Sequence, residues 1–413
     1  MMLAWVSVGA LVLAVALSVL TRVNVGILSL AMAWLVGVYL GGMSVNTVLS
    51  GFPVPLLVTL VGVTLLFSMA DTNGTLSRLT GRAVRLCRGN AGVLPLMFFA
   101  VGVVVSTIGP GGTPASALLA APAMAVAGRV GIPPLLMAIM TGNGALAGTL
   151  SPFAPGGVVA NDVMARIGLD GLEWQTYGYN VLAHSIVGLG GFVLLGGLKL
   201  FRRHQGDAGS GEPDVEPFER RHWLTVAGIA ALIVAVVGFD AHVGLTAVLV
   251  AALLTLLGSV DERQAIQRMP WGVILMVTGV TVLISIMQRT QGMDLFTSGL
   301  AGISTSETVV PMMAFGTGLI SVYSSTSGVV MPAFLPMVPD LAQQIGAVEH
   351  VHLAWSITVG GGLVDLSALS TVGALYLAAA PPGTNTRALF NALLAWGLSM
   401  SVVGAALCWI LFG

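Results

Sequence analysis

The chain has 413 residues, 56% of them hydrophobic and 8% charged. That leaves too little polar surface to cover a soluble core, which excludes an ordinary soluble enzyme and points to a polytopic membrane protein. A net charge of -1 provides no basic face for nucleic acid, and Cys87 and Cys408 lie too far apart in sequence for a metal or redox motif.

In chain order, apolar windows of spanning length predict helices at about 3 to 21, 24 to 41, 53 to 69, 132 to 165 and 179 to 200. A second set is expected at about 223 to 238, 242 to 258, 270 to 287, 350 to 380 and 387 to 412. The N-terminal stretch, at about 3 to 21, lacks a basic leader and a small-residue cleavage site, so it is expected to be a retained span. Residues 92 to 129 and 309 to 345 each set two apolar arms around a small polar centre, the pattern of a re-entrant hairpin. The polar stretch Arg202 to His222 reads as a flexible cytoplasmic linker between two halves.

Those halves, 1 to 201 and 223 to 413, resemble each other. Trp5 aligns with Trp223, Val25-Gly26 with Val243-Gly244, and Gly62-Val63-Thr64 with Gly279-Val280-Thr281. Leu94-Pro95 falls opposite Val310-Pro311 and Leu150-Ser151 opposite Leu366-Ser367, so the offset stays between 216 and 218. With five crossings and one hairpin in each half, the two copies face opposite ways. Fourteen of the 16 basic residues then fall on one side (Arg22, Arg78, Arg82, Arg85, Arg88, Arg129, Lys199, Arg202, Arg203, Arg220, Arg221, Arg263, Arg268 and Arg387), and only Arg166 and Arg289 on the other. The positive-inside rule makes the first side cytoplasmic and places both termini outside an inner (cytoplasmic) membrane. The expected fold class is therefore an all-α polytopic membrane protein with two inverted-topology repeats: about ten transmembrane helices, two re-entrant hairpins and two broken helices. Such repeats, with discontinuous helices meeting at the bilayer midplane, are the usual build of a secondary transporter.

The breaks carry the chemistry. In STIGPGGTPAS, residues 106 to 116, Thr113 is placed to cap a helix that starts at Pro114, leaving free amides and a positive dipole end that suit an anion. The matching tip offers Ser324, Ser325, Thr326, Ser327 and Gly328. After each hairpin comes a second break. In residues 141 to 162, glycines 142, 144 and 148 weaken the helix and Ser151-Pro152 reads as the cap and first turn of a new half-helix. There Asn143 and freed carbonyls could hold a small cation. Residues 359 to 375 hold a glycine triplet, then Asp365, Ser367, Ser370 and Thr371. Of the 17 acids Asp365 alone lies well inside a predicted span, which makes it a functional candidate by default. His184, also inside a span, is expected to pack or hydrogen-bond to a neighbour. Arg78, Arg82, Arg85 and Arg88 suggest an interfacial helix at anionic headgroups.

GALAGTLSPFAPGGVVAND (144 to 162) and LVDLSALSTVGALYLA (363 to 378) resemble the malonate and dicarboxylate carrier (MatC) family. The hairpin-plus-broken-helix plan is similar to the wider ion transporter superfamily, including the divalent anion/sodium symporters. The resemblance implies a uniporter-like or cation-coupled carrier of a small carboxylate such as malonate or succinate, with sodium or a proton as the coupling ion and no other cofactor, working as a homodimer by an elevator motion. The absence of His-Glu-x-x-His, Gly-x-Ser-x-Gly and an aspartate pair in the spans leads us to expect no enzyme. The symporters' Ser-Asn-Thr hairpin signature falls on Thr107 to Gly111 and on Ser324 to Thr326, without its asparagine in either place. Their Ser-Pro or Thr-Pro element is kept as Ser151-Pro152, while Ser370-Thr371 lacks the proline. The expected substrate set is Ser106, Thr107, Gly111, Gly112, Thr113, Ser151, Pro152, Ser324, Ser325, Thr326, Ser370 and Thr371. The expected cation set is Asn143, Gly144, Gly361 and Asp365, with Na+ as the candidate metal. A sodium/proton antiporter of the same superfamily is the alternative, since an intramembrane aspartate is its central requirement.

Overall fold

The computed structural model describes residues 2–21, 23–85, 90–201, 217–239, 241–322, 325–346 and 348–413. Arg22, Cys87, Arg88, Arg202, Arg203, Ser324 and the 202–216 part of the expected linker lie outside the described residues.

Every element among the described residues is helical. The first half runs α1 (Met2–Thr21), α2 (Val25–Trp34, continued by a π-helical turn Leu35–Leu40), α3 (Val45–Leu49), α4 (Val54–Thr72) and α5 (Thr75–Arg85). It continues with α6 (Val93–Ile108), α7 (Gly112–Val130), α8 (Pro134–Ala147), α9 (Pro155–Arg166), α10 (Glu173–Leu194) and α11 (Gly197–Leu200). The second half runs α12 (Arg220–Phe239), α13 (Val243–Leu256), α14 (Glu262–Arg268), α15 (Trp271–Arg289), α16 (Gly292–Ala301) and α17 (Val309–Ser321). After a π-helical turn Thr326–Val330 come α18 (Met331–Phe334), α19 (Val338–Ile345), α20 (His350–Leu363), α21 (Thr371–Ala378) and α22 (Thr386–Phe412).

The protein is a multi-pass membrane protein. Among the described residues three helices (α4, α15 and α22) are long and apolar enough to cross a membrane, and α17 with Thr326–Ile345, bent by 117°, makes a fourth candidate. The sequence pattern led us to expect about ten such spans. Several of the other apolar helices, α2, α6, α8 and α13 among them, run only 10 to 16 residues, short of the ~20 a straight span needs. The short helices α14 and α16 were also not anticipated.

Helices cross where a side chain is missing. A Cβ on Gly26 would run into the backbone of Leu275 and Met276 on α15, and one on Gly279 into Gly26 itself. On the other crossing, a Cβ on Gly62 of α4 would meet the carbonyl of Gly244 on α13. Gly102 likewise backs onto Gly144, and Gly318 onto Gly360. Small residues let membrane helices approach closely enough for dense van der Waals contact, which replaces the hydrophobic drive that lipid does not supply.

Contacts at the ends of the helices hold residues of like side together. Asp71 pairs with Arg268 at 3.8 Å, Arg78 with Glu219 at 3.9 Å, and the Arg289 guanidinium donates to Ser50 Oγ at 3.2 Å. The Arg82 guanidinium lies 4.1 Å from the Phe218 ring centre. Arg78 and Arg82 are thus engaged with Glu219 and Phe218, the residues that lead into α12. Trp5, Trp223 and Trp271 are exposed, as suits residues at the ends of spans.

Candidate functional site

Two breaks and two tips converge on one cavity of about 260 Å³. Gly111, Gly112 and Thr113 come from the first tip, and Thr149, Pro155 and Gly156 from the first break. Ser325, Thr326 and Ser327 come from the second tip, and Asp365, Ser370 and Thr371 from the second break. The volume is just below the range of drug-sized ligand pockets, so it suits a small metabolite.

The first tip turns because Gly109 and Gly111 adopt φ of 149° and 82°, values that L side chains rarely reach. Thr113 does not cap α7. The helix starts at Gly112 after Gly111, no side chain caps it, and Thr113 sits inside its first turn, exposed. Pro114 is tolerated there because the amides of a first turn have no partner within the helix. The first break also departs from expectation. Ser151-Pro152 lies in a turn, and α9 begins three residues later at Pro155. Ser151 Oγ instead donates to Thr107 O at 2.7 Å, which ties the break to the end of α6. In the second half Ser370 does cap a helix: its Oγ accepts from the amide of Gly373 at 3.1 Å at the start of α21.

The first residues of three helices, α7 (Gly112, Thr113), α9 (Pro155, Gly156) and α21 (Thr371, Val372), therefore line the same space. Their unpaired amides and aligned dipoles make the space favourable to negative charge although no lysine or arginine among the described residues lines it. Asp365 is the single ionisable side chain among the described lining residues. Its Oδ1 lies 2.9 Å from Thr326 Oγ1 and 3.2 Å from Ser321 Oγ. Thr326 Oγ1 is also 3.0 Å from Gly361 O, and its one proton serves one acceptor at a time.

A second, much smaller chamber of about 10 Å³ adjoins Asp365 and is lined by Asn180, His184, Thr326, Thr358 and Gly362 among others. It is the size of a single water molecule. His184 Nδ1 lies 3.0 Å from Asn143 Oδ1, and Asn143 Nδ2 donates to Ile139 O at 2.9 Å. Because that donation turns the amide oxygen toward the imidazole, Nδ1 is the protonated ring nitrogen. His184 thus hydrogen-bonds to a neighbour, as expected for a histidine inside a span.

The structure separates the expected residues into two groups. Gly111, Gly112, Thr113, Ser325, Thr326, Ser370, Thr371 and Asp365 face the central cavity. Ser106, Thr107, Ser151, Pro152, Asn143, Gly144 and Gly361 do not line it. Ser106 and Ser151 are fully buried against neighbouring backbone, Thr107 shares a 2.9 Å hydrogen bond with Tyr177 Oη, and Gly144 backs onto Phe99. The carbonyls freed at the end of α8 are already served: Asn180 Nδ2 donates to Leu146 O at 3.0 Å and to Ala147 O at 2.8 Å.

Thr149 was missed by the sequence reading. Its hydroxyl is buried and has no hydrogen-bond partner, yet it lines both the cavity and the small chamber. A buried polar group without a partner calls for an explanation, and a ligand is one. The signal was present: the offset of 216 that pairs Leu150 with Leu366 also pairs Thr149 with Asp365.

Residues 1–149 match the family of the dicarboxylate carrier protein MatC N-terminus. It is a family of carriers, not enzymes. The matched segment includes the first tip and all of α8 and ends at Thr149, on the cavity wall. The fold is similar to that of the YdaH transporter from Alcanivorax borkumensis, whose crystal structure is described as having an unusual topology. The likeness has a TM-score of 0.57 at 18% identity and covers 88% of this chain and 87% of that one. No curated protein matches the sequence.

Proposed function

We propose that the protein carries small carboxylates, dicarboxylates such as malonate or succinate among them, across the inner membrane by alternating access. The observation that carries the reading is the convergence of three helix N-termini on a cavity of about 260 Å³ that no basic side chain among the described residues lines. Backbone amides and hydroxyls there match a carboxylate. The unpartnered Thr149 hydroxyl and the family match over residues 1–149 support the same conclusion.

Asp365 supplies the other half of the proposal. A carboxylate next to an anion site is unfavourable unless a cation accompanies the substrate, so Asp365 is assigned to the coupling ion, sodium or a proton. The small chamber it shares with Thr358 and Asn180 is the place for such an ion. Of the expected cation set the proposal rests on Asp365, since Asn143, Gly144 and Gly361 do not line the central cavity.

The two halves are assigned as inverted repeats. Support comes from the crossings: Gly26 packs on Gly279 and Gly244 on Gly62, and the sequence offset relates Gly26 to Gly244 and Gly62 to Gly279. An elevator motion of the hairpins against the remaining helices, within a homodimer, completes the proposal and follows from the family resemblance.

The test is uptake of labelled malonate, succinate and citrate into proteoliposomes, with and without an inward sodium gradient. Saturable uptake of a carboxylate supports the reading, and the gradient dependence identifies the ion. Sodium-dependent proton movement with no carboxylate uptake would replace it by the antiporter reading, which needs an intramembrane aspartate such as Asp365 but for which a single such acid is sparse.

A further inference from the structure

The wall of the central cavity is shared with a second cavity of about 340 Å³. Pro110, Pro114, Pro155 and Pro270 line both. Proline has one fixed backbone dihedral and no amide hydrogen, so the four form a stiff neck that does not bind an anion itself. At the outer cavity stand its only ionisable lining groups among the described residues, Asp71 at the end of α4 and Arg268 in the last turn of α14. Their charges are 3.8 Å apart, beyond hydrogen-bond range, and both side chains are about half exposed. Asp71 is the only ion-pair partner of Arg268 among the described residues, so several of the five guanidinium N–H groups face open space.

We infer that the larger cavity is the vestibule of the carrier on its basic face, and that Arg268 gathers the anionic substrate there while Asp71 competes with it for the guanidinium. The inference rests on the carboxylate reading proposed above. The central cavity itself has no cation to attract a substrate over a distance, because amide dipoles act only within the first turn. A guanidinium at the mouth supplies that attraction, and its loose pairing with Asp71 leaves it available for exchange. Substrate then passes the proline neck to the amides of α7 and α9.

The experiment uses the full chain in proteoliposomes with labelled succinate. Arg268→Gln is expected to raise KM about fivefold, the weight of one half-exposed charge contact, with maximal velocity within twofold and a flatter dependence on ionic strength. Arg268→Lys should keep most of the affinity. Asp71→Asn should lower KM about twofold, and the double variant should behave as Arg268→Gln alone. An increase in KM in both single variants would make the pair a structural clasp between α4 and α14 and overturn the inference. A readout independent of transport uses Ala117→Cys, exposed on the vestibule wall, in a Cys87→Ser background. An anionic methanethiosulfonate should react faster than a cationic one of equal size, and Arg268→Gln should abolish the preference. Ala117→Cys protein that keeps Arg268 and shows this preference, with no carboxylate uptake by the wild type, would sink the carboxylate reading and leave the anion vestibule standing. Carboxylate uptake and thiol reactivity both indifferent to Arg268 would sink the vestibule alone.

Discussion

Asp365→Asn separates charge from shape. Asparagine keeps the size of the side chain and an oxygen that can accept from Ser321 and Thr326, now 3.2 and 2.9 Å from Oδ1, but removes the one ionisable group of the central cavity. A cation about 4 Å from the carboxylate gains about 4 kcal/mol at the effective dielectric of a partly wet site. Losing it corresponds to nearly three powers of ten in cation affinity. The substrate is an anion, so its own affinity should move the other way. In the absence of the coupling ion the variant should bind carboxylate more tightly than the wild type, because one repulsive charge is gone. The assay is labelled succinate binding and uptake as a function of sodium concentration and of pH, with thermal melting in detergent as the folding control. A correctly folded Asp365→Asn protein whose sodium and pH dependence equal those of the wild type would remove Asp365 from the coupling step. Weaker binding without the ion would refute the electrostatic argument itself.

Further predictions follow from single contacts. Thr149→Val is nearly isosteric and removes a hydroxyl that has no partner within the protein. It should leave the melting temperature unchanged and raise KM about fivefold, the weight of one hydrogen bond of about 1 kcal/mol; a large loss of stability would mean that the hydroxyl serves the fold. Ser370→Ala removes the cap of α21 and should destabilise by about 1 kcal/mol in a detergent melt while weakening uptake. Asn143→Leu leaves the buried His184 Nδ1–H without its acceptor and should destabilise by about 1–3 kcal/mol, with KM little changed because Asn143 does not line the cavity. Gly26→Ala and Gly244→Ala should each lower folded yield in size-exclusion chromatography, since the new methyl meets backbone that cannot yield and overpacking costs about 1–3 kcal/mol. Gly178→Ala, with open space around it, is the control that should behave as wild type.

The sequence by itself determined the membrane setting, the helical class and the positions of the four breaks. Composition and apolar windows depend on nothing but local chain chemistry, and a proline or glycine inside such a window disturbs its helix whatever the surroundings. It also singled out Asp365, because a carboxylate in an apolar segment is conspicuous without any structure. Where each new helix begins was decided by tertiary contacts. Thr113 and Ser151 are both good caps by residue type, yet α7 starts on Gly111's turn and Ser151 is drawn away to Thr107. Only the folded chain showed which side of a break faces the ligand space. Asn143 and Asp365 look alike as polar residues in glycine-rich segments, but Asn143 turns to His184 and Ile139 while Asp365 faces the cavity. The same holds for Asn180, brought to the end of α8 by α10, and for Arg268, brought by α14 to the wall of the cavity of about 340 Å³. Such placements depend on how helices rotate and cross, which is set by packing between segments that the linear order keeps far apart.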